Sequence, residues 1–184
     1  DTAQIDAALQ EAFEVGRGAD APLVISHHKL SGQANHGRSA QTLALIEAAG
    51  LQQDVCVDCY PYDASSTMLI PERVHLSSEV LITWSSTEPA AAGRSLFQMA
   101  KERGLTPQAL AEQLMPAGVV NFSMDEADVQ RIMQHPLTMI GSDGLPHDRH
   151  PHPRLWGAFP RVLARYWREQ QLFSMEQAVH KMTG

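Results

Sequence analysis

Three short runs in the sequence end in side chains able to do chemistry: Leu23-Val24-Ile25-Ser26-His27-His28-Lys29, Asp54-Val55-Cys56-Val57-Asp58-Cys59-Tyr60, and Leu137-Thr138-Met139-Ile140-Gly141-Ser142-Asp143-Gly144. Each opens apolar and β-branched, which reads as a buried strand, and closes on imidazole, ammonium, carboxylate, thiol or phenol groups. In an α/β enzyme such tips gather at the carboxyl ends of parallel strands, where the active site lies. An imidazole and a carboxylate from different strands could then share a metal. Strand parity puts His27 and Lys29 on one side and leaves His28 as a packing or supporting residue. A carboxylate at Asp143 could accept a proton from water and pass it to a leaving amine. The plainer alternatives are histidines capping an ordinary strand and an aspartate capping the turn at Gly144.

The elements that would carry these tips follow from periodicity. Ile5, Leu9, Ala12 and Phe13 share a helical face over Thr2–Gly16. After His27-His28-Lys29 comes a polar loop, Ser31 to Gly37, then a helix from Arg38 to Ala49 burying Leu43 and Ile46. The second strand, Asp54–Cys59, completes a strand, helix, strand unit of the kind that builds parallel sheets. Further on, the pattern predicts a strand at Ser77–Trp84 and helices at Gly93–Arg103 and from Thr106-Pro107. It also predicts a helix opened by Ser123-Met124-Asp125-Glu126 and closed by His135-Pro136. Some 65 residues separate the second strand from the third, too many for an ordinary connection, so an inserted subdomain or lid is expected between them. A helix from Gly157 is expected to bury Phe159, Val162, Leu163 and Tyr166 with Arg161, Arg165 and Arg168 outward, and Ser174-Met175-Glu176-Gln177 opens a last one.

Composition narrows the class. The 184 residues are 43% hydrophobic and 19% charged, with a net charge of −7. That is the profile of a globular domain, with no apolar run near the roughly 20 residues a membrane helix needs, and the acidic balance argues against nucleic acid as a partner. The expectation is a small-molecule ligand. No secretory signal is read at Asp1-Thr2-Ala3-Gln4. Cys56 and Cys59 form a C-x-x-C, but residues three apart on a strand face opposite ways, so reduced thiols and a cytoplasmic setting are expected. His36, His147, His150 and His152 lie in loops, the last three among prolines, and read as exposed.

Four motifs in order resemble one family. They are Ile25-Ser26-His27-His28-Lys29; Asp58-Cys59-Tyr60-Pro61-Tyr62 with Ala64-Ser65-Ser66-Thr67; Ile140-Gly141-Ser142-Asp143-Gly144; and His152-Pro153-Arg154-Leu155-Trp156-Gly157 with Phe159-Pro160-Arg161. Together they are similar to the N-acyl-D-amino-acid deacylases (D-aminoacylases) of the amidohydrolase superfamily, over nearly the whole chain to Lys181-Met182-Thr183-Gly184. The resemblance implies a zinc-dependent, TIM-like (β/α)8 barrel hydrolysing the amide of N-acyl-D-amino acids, of which this chain would be a C-terminal-half fragment holding strands 6 to 8 with their helices and a small inserted subdomain. The divisions it suggests are residues 1–62 for the first barrel segment, 63–134 for the insertion and 135–184 for the second barrel segment. By the same resemblance His27 and Asp143 are metal ligands, Asp143 is also the catalytic base, and Lys29, Tyr60, Ser66, Met124 and Arg154 bind substrate. Arg154 would clamp the α-carboxylate, since a guanidinium forks onto a carboxylate.

In that family an H-x-H pair, a bridging cysteine and a further histidine complete the metal centre, and no segment carrying them is in this sequence. The alternatives are therefore a non-catalytic fragment that does not bind metal alone, or a related amidohydrolase acting on another D-amino-acid amide, such as a cyclic amide or a D-peptide. Unpaired strand edges near Leu23 and Leu137 predict self-association or a covering N-terminal segment.

Overall fold

The computed structural model describes residues 2–146 and 150–183; His147, Asp148 and Arg149, expected in an exposed loop, lie outside the described residues. The chain builds two sheets, each with its own core. The first core forms where the amphipathic helix α1 (Ile5–Ala19) buries Ile5, Leu9 and Phe13. It delivers the chain to β1 (Leu23–Ile25). Helix α2 (Ser39–Gly50), burying Leu43 and Ile46, connects β1 to β2 (Val55–Cys59). With β6 (Thr138–Ile140), these strands form a parallel sheet in the order β1-β2-β6, Leu23 opposite Val55 and Cys59 opposite Ile140. The central strand β2 is thus paired on both sides, and β1 and β6 are the outer strands.

Alternation in β2 buries Val55, Val57 and Cys59 and leaves Cys56 and Asp58 half-buried. Cys56 and Cys59 consequently face opposite ways and are both free thiols, as the strand period requires. Burial pushes the Cys59 thiol well above its ordinary range.

Between β2 and β6 lies the second sheet. Strands β3 (Ala64–Met68), β4 (Glu79–Ser85) and β5 (Ala117–Phe122) pair antiparallel in the order β3-β5-β4. Only β4 was legible in the pattern. Gly118 of β5 sits where Thr83 and Trp84 cross, and a Cβ there would collide with both, at the point where the β4–β5 register shifts. Helices α3 (Leu96–Arg103) and α4 (Pro107–Leu114) cover this sheet with Leu96, Met99, Leu110 and Leu114 around Val80 and Ile82. Ser95 and Thr106 cap them by accepting from Gln98 N and Ala109 N.

Helix α5 (Glu126–Gln134) returns to the first core, where Val129, Ile132 and Met133 pack beside Leu43, Ile46 and Tyr166. Asp125, rather than the expected Ser123, caps it, accepting from Ala127 N and Asp128 N. The sequence range 63–134 therefore holds two kinds of structure, the antiparallel unit and one helix that packs with the parallel sheet.

At the C-terminal end α6 (Arg154–Arg161) starts earlier than Gly157 and runs into a π-helical stretch at Val162–Glu169. Phe159 is exposed, against expectation, while Val162 and Tyr166 are fully buried. Helix α7 (Met175–Thr183) opens on a reciprocal cap in which Gln177 N donates to Ser174 Oγ and Ser174 N to Gln177 Oε1. No helix among the described residues is long and apolar enough to cross a membrane.

Candidate active site

Strand β1 stops at Ile25, short of the expected Lys29, because the chain turns at His27, whose φ is +42°. Asp58 at the tip of the central strand holds that turn: Oδ1 accepts His27 N at 2.8 Å and Oδ2 accepts Ser26 Oγ at 3.1 Å. Asp143, beyond the end of β6, is likewise left-handed at φ +46°. Such conformations are uncommon for a residue with a Cβ, although Asp and His adopt them more readily than most, and here the surrounding contacts hold them in place. His27 and Asp143 both stand at the carboxyl rim of the parallel sheet and both are exposed.

Lys29 lies over the same rim. Its Nζ is 2.9 Å from His27 Nδ1 and donates to His27 O at 2.9 Å. Burial lowers its pKa to about 8, with the charges of Asp143 and Asp58 acting against the drop and that of Arg154 reinforcing it. With Lys29 charged, Nδ1 is the acceptor and the ring proton of His27 sits on Nε2, so ligation through Nε2 needs Lys29 to release the ring. His28 points away and is buried, its Nε2 2.9 Å from Thr42 Oγ1 on α2. Burial brings its pKa down to about 4.

A second group lies deeper. Arg154, the first residue of α6, is 1% exposed. Its Nη1 is 2.8 Å from Asp143 Oδ2, its Nη2 donates to Ser66 O at 3.2 Å, and its guanidinium carbon stands 4.5 Å from the Tyr60 ring centroid. Lys29 Nζ is 5.8 Å from that centroid, so two cations share one aromatic ring. Burial pushes the Tyr60 phenol upward, partly offset by the Arg154 charge. Tyr60 Oη, Ser66 Oγ and Arg154 Nε lack a hydrogen bond in good geometry among the described residues, and Arg154 Nη1 has only its ion pair with Asp143. Buried polar atoms are nearly always paired, so this cluster around one guanidinium is a candidate binding site. A narrow crevice of about 10 Å³, room for little more than one water, lies beside it and is lined by Lys29, Tyr60, Tyr62, Met124, Val129 and Ile132.

His152, expected to be exposed, is buried and is one of the residues that shape this pocket. Its Nε2 meets Ala64 O at 3.0 Å and its Nδ1 accepts Arg154 N at 2.9 Å, fastening α6 to β3. Burial and the Arg154 charge lower its pKa to about 4. His36 and His150 are exposed as expected. Asp58 and His152 are the contributors sequence reasoning passed over. For Asp58 a signal existed, a carboxylate at the tip of the central strand; for His152 the alternation with proline pointed the wrong way.

Among the described residues no three His, Cys, Asp or Glu side chains are grouped closely enough to hold a metal ion. His27 and Asp143 are donors of the right chemistry but one short of the three protein ligands a catalytic zinc takes. The described residues do not by themselves make a zinc site.

No family model matches the chain. Against individual proteins the similarity is high: the D-aminoacylase of Alcaligenes xylosoxydans xylosoxydans is 57% identical over 180 residues, 98% of this chain and 37% of that protein. A solved D-aminoacylase structure, described as defining a novel subset of amidohydrolases, superposes with a TM-score of 0.96 at 56% identity over the whole chain. The chain belongs to the D-aminoacylase family. Another family member, the N-acyl-D-glutamate deacylase of Bordetella bronchiseptica, solved with zinc and a phosphonate mimic of the tetrahedral intermediate, gives a TM-score of 0.94 at 47% identity over 98% of this chain. The chain spans a little over a third of the length of these D-aminoacylase relatives: 37%, 39% and 38% in turn. It has the α/β fold of the matching part of those enzymes.

Proposed function

We propose that the whole protein hydrolyses the amide bond of N-acyl-D-amino acids to the free D-amino acid and a carboxylate, and that this chain supplies the substrate-anchoring part of its site. The observation that carries the reading is the buried guanidinium of Arg154 with unpaired polar atoms of Tyr60 and Ser66 around it. A desolvated guanidinium recognises a carboxylate through paired N–H bonds, and two hydroxyls add further contacts. With the α-carboxylate held there and Lys29 beside it, the acyl amide reaches toward Asp143 at the rim, while Met124, on the wall of the narrow crevice beside Tyr60, faces the side chain or acyl group. Asp143 takes the proton of the attacking water and returns it to the departing amine nitrogen.

Zinc in relatives supports a metal held in part by His27 and Asp143, with the other ligands outside this chain. When bound, such an ion polarises the amide carbonyl and makes a bound water acidic. Three parallel strands in the order β1-β2-β6 support a place in a (β/α)8 barrel at strands 6 to 8, with 63–134 largely an insertion. The outer edges of β1 and β6 support a covering segment or second chain there, and the free thiols support a reducing, cytoplasmic setting. Assays of the whole protein on N-acetyl-D- and L-amino acids test the reading. Turnover of the D-form that falls at least about a thousandfold in Asp143→Ala is expected; undiminished turnover would overturn the assignment.

A further inference from the structure

Tyr60, Pro61 and Tyr62 form a closed three-residue turn in which Tyr62 N donates to Tyr60 O at 2.9 Å. The fixed φ of proline suits the centre of such a turn, so the three residues move as one unit. The unit is gripped from the far side by Arg161, the last residue of α6, where the π-helical stretch begins. Arg161 Nε donates to Pro61 O at 2.7 Å, and the Arg161 guanidinium lies 4.6 Å over the Tyr62 ring. Tyr62 in turn meets His152 edge-on, with centroids 5.0 Å apart at 89°. Tyr166 Oη is 3.4 Å from the same Pro61 carbonyl, but its single proton goes to Glu126 Oε1 at 2.9 Å, which also takes Arg165 Nη2 at 3.2 Å. Arg161 is therefore the donor that holds Pro61.

The helix geometry explains why an arginine expected to face solvent turns inward. In a regular α-helix the residue five places on is swung about 140° round the axis, given 3.6 residues per turn. The wider i→i+5 turn brings residues four and five apart onto one face, so Arg161, Arg165 and Tyr166 converge on Glu126 and Pro61.

We propose that Arg161 is a positioning residue: by holding the Pro61 carbonyl and stacking on Tyr62 it keeps the Tyr60 ring under Arg154, so that the Tyr60 hydroxyl meets the substrate carboxylate. This rests on Tyr60 being a substrate contact. In the full-length enzyme, Arg161→Met raises KM for an N-acyl-D-amino acid by about tenfold, the worth of a lost charge-assisted hydrogen bond, and changes kcat by less than about threefold. KM for the same compound with its α-carboxylate converted to a neutral carboxamide does not move, and Arg161→Lys, which keeps one donor, recovers most of the loss. Should Arg161→Met fail to fold, Tyr62→Leu removes the stacking partner and is expected to raise KM in the same selective way. Equal changes on both compounds, or an unchanged KM, would overturn the proposal. If the wild-type enzyme turned over neither compound, the functional reading itself would have failed. Positioning is then decided by crystal structures of wild type and variant: Tyr60 leaving the face of Arg154 supports it, and Tyr60 in place refutes it.

Discussion

The two halves of the rim are built differently. Around His27 and Asp143 the groups are exposed, the backbone is left-handed, and among the described residues the donors do not reach the number a metal needs. Around Tyr60, Ser66 and Arg154 the groups are buried, and the hydroxyls of Tyr60 and Ser66, without hydrogen bonds in good geometry, lie beside a guanidinium paired with Asp143 and Ser66 O. On the proposed reading the anchoring half takes its geometry from His152, Pro61 and β3 and is tied to the other half by the Arg154–Asp143 pair, whereas the metal half is one face of a site. Variants in the two halves should separate accordingly.

The largest effect is expected at Arg154. Removing a buried charge that pairs with Asp143 costs about 3–5 kcal/mol, so Arg154→Ala in the whole enzyme should lower kcat/KM by several hundredfold or more. Steady-state kinetics with metal content held constant checks this. On the other side, Asp58→Ala frees the turn at Ser26 and His27 without removing a contact of Arg154, Tyr60 or Ser66. Loss of such a supporting contact typically costs 10–100-fold in metal affinity, so equilibrium zinc binding should weaken while KM, measured at saturating zinc, stays near wild type.

Tyr60→Phe removes one hydroxyl and should raise KM by about tenfold, since a hydrogen bond nets roughly 1 kcal/mol and more when its partner is charged. The smallest effect concerns His152. Its pKa is about 4 in the fold against 6.5 ordinarily, so the unfolded chain takes up the extra proton in between. The stabilisation is complete above about pH 6.5 and is lost as pH falls toward 4, by at most about 2–3 kcal/mol after allowance for partial solvation. His152→Gln, which keeps a donor for Ala64 O, should flatten the denaturation profile in that window; an unchanged slope would mean His152 does not titrate as its burial demands.

The parallel sheet was legible because its strands are short, β-branched and end in chemistry, and because α1 and α2 carry clear apolar faces. The antiparallel unit was half legible. Strand β3 is Ala-Ser-Ser-Thr-Met, small and hydroxylic without an apolar alternation, and β5 carries a glycine that only the crossing with Trp84 explains. Tertiary contact rather than local preference makes these strands. Parity separated His28 from His27 and Lys29 correctly although the strand ends earlier, because the Asp58 grip keeps His27 and Lys29 on one side. The inward turn of Arg161 had no sequence signal, since it depends on a helix wider than the one that periodicity assumes.

The proposed function rests on the buried set around Arg154 reading a carboxylate. The most direct measurement is kcat/KM of the whole protein for one N-acyl-D-amino acid and for its neutral α-carboxamide, in wild type and in Arg154→Ala. Wild type is expected to prefer the acid by a hundredfold or more, about 3 kcal/mol, and Arg154→Ala to lose most of that preference by losing activity on the acid. A preference for the acid that survives Arg154→Ala unchanged would contradict that reading.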